Sequence, residues 1–173
     1  MTGAKSHPFV EYLESLREDR GALAALRRGL GQPPGTVPDM YRYVVPWLPA
    51  EPNRQREAAY YALAALFAYH PAAGGTGNMG DHFALTRDPK RDNTAIERRF
   101  TALLAAHPDD LDFHLRQTIG FLRSKEVSIN WHQLLADLLV WSDPDRRPQV
   151  QQRWARSFWN PIPPSKPDAA SQS

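Results

Sequence analysis

The chain has no cysteine, which excludes disulfides and thiolate metal sites and points to an intracellular location. It has no apolar run near the roughly 20 residues needed to cross a bilayer. The stretch from Met1 to Leu16 lacks the apolar core of a signal peptide. A cytoplasmic protein with no membrane partner is expected. Strand-like alternation of apolar and polar residues is missing as well, so the fold class expected is all-α. Catalytic signatures are equally absent. There is no G-x-S-x-G, no G-x-x-x-x-G-K-[ST] and no H-E-x-x-H. No enzyme, no cofactor and no metal site is expected.

Lysine is scarce too, with 4 residues against 17 arginines. Arginine's planar fork pairs bidentately with phosphate and stacks on bases, which lysine cannot match. A GC-rich genome would give the same bias, and the many alanines agree with that. A net charge of +2 does not by itself announce a nucleic-acid binder, so placement has to decide. With 173 residues, 42% hydrophobic and 23% charged, the chain has the makings of one domain or two small ones with a real core.

The richest stretch is Ser128 to Trp159, which holds four of the five tryptophans. Trp131, Leu134, Leu135 and Leu138 recur at i, i+3, i+4 and i+7, the spacing of one buried helix face. Ser128 or Asn130 can cap that helix, and Ser142-Asp143-Pro144 stops it. A second helix starts near Pro148. Its apolar face is Val150, Trp154 and Phe158, while Gln149, Gln152, Arg153 and Arg156 form a polar stripe. Trp131, Trp141, Trp154 and Phe158 are expected in the core. Trp159 lies off that face, free to stack on a base or a neighbouring subunit.

Upstream, residues 7–19 read as a helix with Phe9, Tyr12, Leu13 and Leu16 inward. Leu23, Leu26 and Leu30 continue to a stop at Gly31. Residues 54–70 carry nothing charged from Ala58 to Tyr69 and should form the rod other helices surround. Arg87 to Asn93 reads as an exposed hinge. Thr94 and Glu97 suggest a capping box for the next helix. Asp109 and Asp110 open another, with Leu111, Leu115, Ile119 and Leu122 inward. The organisation expected is an N-terminal helical lobe over 1–92, a C-terminal four-helix bundle over 93–159, and a Pro- and Ser-rich disordered tail over 160–173.

Two patterns invite chemistry and fail on context. Gly75 to Gly80 spells G-x-G-x-x-G, but a helix and Pro71 precede it instead of a strand, so a flexible loop is the better account. His107, Asp109, Asp110, Asp112 and His114 straddle a helix start, where carboxylates are stabilised without any ion. The arginines fare better. Arg98 and Arg99 flank an apolar face, Arg116 and Arg123 lie seven apart on one side of their helix, and Arg153 and Arg156 share the polar stripe. Arg27 and Arg28 sit in the last turn of a helix, where cations favour the C-terminus. Spacing leaves two readings open: a phosphate-neutralising track, or solvated charges partly paired with Glu97, Asp109 or Asp137.

The run Ile129-Asn130-Trp131, Leu134-Leu135, Asp137-Leu138 and Trp141, followed by Val150-Gln151, Trp154-Ala155-Arg156 and Phe158-Trp159, resembles the CasB family. Members of that family are the small subunits of the type I-E CRISPR Cascade surveillance complex. Leu26-Arg27-Arg28 before a Pro-Pro-Gly loop, Glu97-Arg98-Arg99-Phe100 and Leu115-Arg116-Gln117 fit the same pattern, and the likeness spans about residues 9–159. The resemblance implies a non-catalytic helical subunit packed against a second copy of itself, the large subunit and the repeated backbone subunit. It also implies contact with the guide RNA, the target DNA and the displaced non-target strand. Arg27, Arg28, Arg98, Arg99, Arg116, Arg153 and Arg156 match basic positions of the family pattern; Arg123 is added from helical spacing. The alternative is a helical protein–protein adaptor without nucleic-acid affinity.

Overall fold

The structure is a computed structural model that describes residues 5–160. Every regular element among these residues is helical. The α-helices are α1 (Pro8–Ser15), α2 (Arg20–Arg27), α3 (Tyr41–Val44), α4 (Arg54–Tyr69), α5 (Met79–Ala84), α6 (Thr94–Leu104), α7 (Leu111–Ser124), α8 (Trp131–Trp141) and α9 (Arg147–Trp159). Short 3-10 turns at Pro38–Met40 and Val45–Trp47 flank α3.

Helix α4 explains the arrangement. Nine of its residues between Ala59 and Ala68 are buried, and a helix apolar on all sides has to be enclosed. Helices α2, α7 and α8 pack on it, and Phe67 meets Trp131 edge-on with ring centroids 5.6 Å apart. Asn53 caps its start by accepting the Arg56 N–H at 3.0 Å. At the other end the His70 ring nitrogen Nε2 lies 2.7 Å from the Val127 carbonyl.

Trp131, Trp141, Trp154 and Phe158 are each at most 1% exposed, as their spacing predicts. Trp141 and Trp154 pack 5.0 Å apart, which joins α8 to α9. Of the two caps proposed for α8, Asn130 is the one used, accepting from Gln133 N–H at 3.2 Å. Helix α9 also packs on α5 and α6. Gly80 permits the first contact, because a Cβ there would collide with the Trp154 carbonyl. The glycine-rich loop therefore ends in a packing device. Its Asn78 caps α5 reciprocally with Asp81.

Two local expectations need correction. The Thr94–Glu97 capping box is not formed. Thr94 is the first helical residue, and its N–H and hydroxyl both donate to the Asp92 carboxylate, at 2.9 and 2.5 Å. Glu97 instead faces Arg87 at 3.4 Å. The 87–93 segment is also more tied down than a free hinge. Arg87 donates to the Phe158 carbonyl at 3.1 Å, and Asn93 bonds both the N–H and the carbonyl of Asp88.

Buried hydrophobics from α1 through α9 form one continuous cluster. The four helices after residue 93 do not close on one another alone: α4 packs on α7 and α8, and α5 on α9. The division at residue 92 remains a proposal about folding units. The tail beyond Asn160 lies outside the described residues.

Buried histidines make this core sensitive to acid. His82 is 1% exposed; its Nε2 accepts the Asn130 N–H at 3.1 Å, and its Nδ1 has no partner. Burial pushes its pKa down from 6.5 to about 4, against a smaller upward pull from Asp81. His7 is lowered as well, by burial and then by His132, and its Nδ1 caps α1 by accepting from Phe9 N–H. Between pH 6.5 and 4 the unfolded chain binds a proton at His82 that the folded chain does not. Stability present above pH 6.5 is therefore lost as pH falls towards 4, by roughly 3 kcal/mol from this residue alone. Urea unfolding at pH 7.5 and 4.5 measures it. The variant His82→Asn should lose less stability across that interval than the parent chain.

Candidate nucleic-acid interface

Helix α7 buries Leu115, Ile119 and Leu122, which turns a different set of its residues outward. Arg116, Gln117, Gly120, Phe121 and Ser124 line an open depression completed by Leu30, Tyr69 and Arg99. Two of the arginines picked out from the sequence, Arg99 and Arg116, line it, and a third, Arg123, lies beside it against Tyr69. The Arg99 guanidinium lies 4.7 Å from the Phe121 ring centroid, and Lys125 approaches the same ring at 5.9 Å. Arg123 lies 5.0 Å from the Tyr69 centroid. Such contacts are worth about 0.5–1 kcal/mol at exposed sites and hold a cation in place without neutralising it.

Arg116 reaches across to the end of the α2 segment. Gly31, at φ 74°, is what leaves room: a Cβ there would collide with Nη1 of Arg116. Asp112, one turn earlier on α7, adds a negative charge near this guanidinium. Leu30, just past the end of α2, lines the depression, but Arg27 and Arg28 do not. Arg27 donates from Nε to the Leu23 carbonyl at 3.3 Å. Arg28 is paired with Asp39, with both side chains substantially exposed.

The remaining candidates are placed differently. Arg98 and Arg156 are exposed and enter no ion pair among the described residues. Arg153 is drawn inward, 3.4 Å from the Asp137 carboxylate. That carboxylate is 2% exposed and also accepts from Trp154 Nε1 at 2.7 Å and Gln133 Nε2 at 3.0 Å. Burial raises the Asp137 pKa, while these hydrogen bonds and Arg153 pull it down. No α9 residue lines the depression, so Arg153 and Arg156 are not joined to Arg99, Arg116 and Arg123 by it.

Sequence reasoning missed Tyr69, Phe121, Lys125 and Gly31. Lys125 and Phe121 carried a legible signal, being four apart at the end of the helix that bears Arg116. Tyr69 and Gly31 carried none, since only the fold brings α4 and the α2 terminus to α7. Trp159 is 48% exposed, with its ring 5.4 Å from Phe100. Among the described residues no group of three His, Asp or Glu side chains converges to hold a metal ion. No described helix is long and apolar enough to cross a membrane.

Comparison with known proteins gives consistent matches. A family profile described as CRISPR-associated protein Cse2 matches residues 22–159. The chain is 38% identical to a CRISPR-associated protein Cse2 of Thermus thermophilus over 156 residues, which is 87% of this chain and 88% of that protein. Among solved structures it resembles CasB from Thermus thermophilus, at 33% identity and a TM-score of 0.75, covering 87% of this chain and 95% of that one. It also resembles a chain of a CRISPR RNA-guided surveillance complex, at 27% identity and a TM-score of 0.74, covering 87% and 89%.

The arginines differ in how firmly the protein holds them, and this is measurable. Asp137→Ala leaves the buried Trp154 N–H without an acceptor and should cost roughly 1–3 kcal/mol or more. Arg153→Ala removes a half-exposed partner and should cost at most about 1 kcal/mol. Thermal melts of the two variants check the ordering.

Proposed function

The chain belongs to the CRISPR-associated Cse2 family, and from that premise we propose that it is the small subunit of a Cascade-type RNA-guided surveillance complex. In this reading it works in the cytoplasm beside a second copy of itself, the large subunit and the backbone subunit. It makes and breaks no bond. Its task is to hold the guide RNA–target DNA hybrid and the displaced non-target strand, and so to stabilise the opened duplex. The likeness to a chain of a CRISPR RNA-guided surveillance complex supports the placement.

The observation that carries the reading is one open depression lined by Arg99 and Arg116 and by two half-buried aromatics, Phe121 and Tyr69, with Arg123 held against the Tyr69 ring beside it. Guanidiniums there can neutralise phosphates and displace counterions. Exchanging a DNA duplex for an RNA–DNA hybrid is nearly balanced in free energy, so a few backbone contacts are enough to tip it. Contacts of this kind are blind to sequence. Arg27, Arg28, Arg98 and Arg156 extend the basic surface in this reading. Arg153 contributes least, because Asp137 holds it.

Arg99→Ala, Arg116→Ala and Arg123→Ala, each assembled into the complex, should weaken target-strand opening for every target sequence alike. The slope of log affinity against log salt should flatten by roughly 0.7–0.9 for each phosphate that a substitution leaves without its guanidinium. Unchanged opening and an unchanged slope in the triple variant would leave the protein–protein adaptor as the better reading.

A further inference from the structure

A second groove, of about 440 Å³, lies between α4, α7 and α8. Its floor is apolar, made by Ala58 and Ala62 of α4, Leu111 of α7, and Leu138 and Trp141 of α8. Asp109 and Asp112 stand on the α7 wall, and Arg54 and Gln55 on the α4 wall. Two groups in it lack the partners that burial normally demands. Asp112 is half-buried, and burial raises its pKa against the opposing charge of Arg116. It enters no ion pair among the described residues. Trp141 is 1% exposed, and its Nε1–H is buried with no acceptor. The Trp141 N–H lies too deep for a guest to reach, so the half-buried Asp112 carboxylate is the group that a bound segment can satisfy.

The geometry points to this groove as the docking site for a segment of a different protein chain, apolar in its contacts and bearing one arginine or lysine that reaches Asp112. Charge complementarity selects that guest. Asp109 and Asp112, with Asp110 between them in sequence, repel phosphate, so nucleic acid is excluded from this wall. An acidic segment is excluded for the same reason. A long cationic side chain suits the site, because its methylene stem can lie on the alanine and leucine floor while its charged head meets the carboxylate. Gln55 and Arg54 offer donors to the carbonyls of the same segment.

Gln55 is exposed at the rim and serves to report the occupant. With p-benzoylphenylalanine in its place, the protein is irradiated within the assembly it forms in its own cells, and the adduct is sequenced by mass spectrometry. The expected adduct is a peptide of another protein that carries Arg or Lys among apolar residues. In an otherwise identical assembly Asp112→Asn should lower its yield about tenfold, the worth of one charge-assisted contact. An adduct to RNA or DNA, to an acidic segment or to a second copy overturns the proposal. So does the absence of any adduct, or an unchanged yield in Asp112→Asn that melts like the parent. If Asp112→Asn fails to fold, the identity of the peptide decides alone.

Discussion

Helix α4 has no face it can show to water, and the rest of the chain is built around that constraint. Nine of its residues are buried, and α2, α7 and α8 pack on it. Helix α7, one of the enclosing helices, turns Leu115, Ile119 and Leu122 to the core and keeps another face outward. This is the face that carries Arg116 and Arg123. The track of guanidiniums is thus a consequence of how the core is enclosed. It depends on α4 as much as on the arginines themselves, and Tyr69 at the end of α4 supports Arg123 directly.

Not all the cations are equivalent. Arg99 and Arg123 lie over rings, which fixes them without cancelling charge. Arg28 has an exposed carboxylate partner that a phosphate can displace, since such surface pairs are worth little. Arg153 sits against a carboxylate that is itself buried and bonded to Trp154 and Gln133. Removing Arg153 from Asp137 would leave a charge in the core with less compensation. Coulomb attraction favours that pair over a screened phosphate in water. The arginines of α7 and α6 therefore carry the proposed function, and Arg153 of α9 contributes least.

Much of this was legible beforehand because it rests on periodicity. The buried tryptophans and the outward arginines of α7 follow from residues three, four or seven apart, and the rod at α4 from a stretch with no charge on any side. The Trp141–Trp154 contact, by contrast, depends on which helices become neighbours. What periodicity cannot report is where two distant segments meet. The seat of Arg116 beside Gly31, the approach of Gly80 to the Trp154 carbonyl and the bond from Arg87 to the Phe158 carbonyl are of that kind. The Thr94 cap failed for a local reason: Asp92, two residues earlier, accepts the Thr94 N–H that the box would have given to Glu97, and Glu97 faces Arg87 instead.

In the proposed complex Arg99, Arg116 and Arg123 together face sugar–phosphate chains. Arginine-selective modification with phenylglyoxal, mapped by mass spectrometry, reads this directly in the assembled complex before and after target DNA is bound. All three should become protected once nucleic acid is held, while Arg17 and Arg20, exposed near the start of the chain, stay reactive. Equal reactivity of the three in the two states would contradict it.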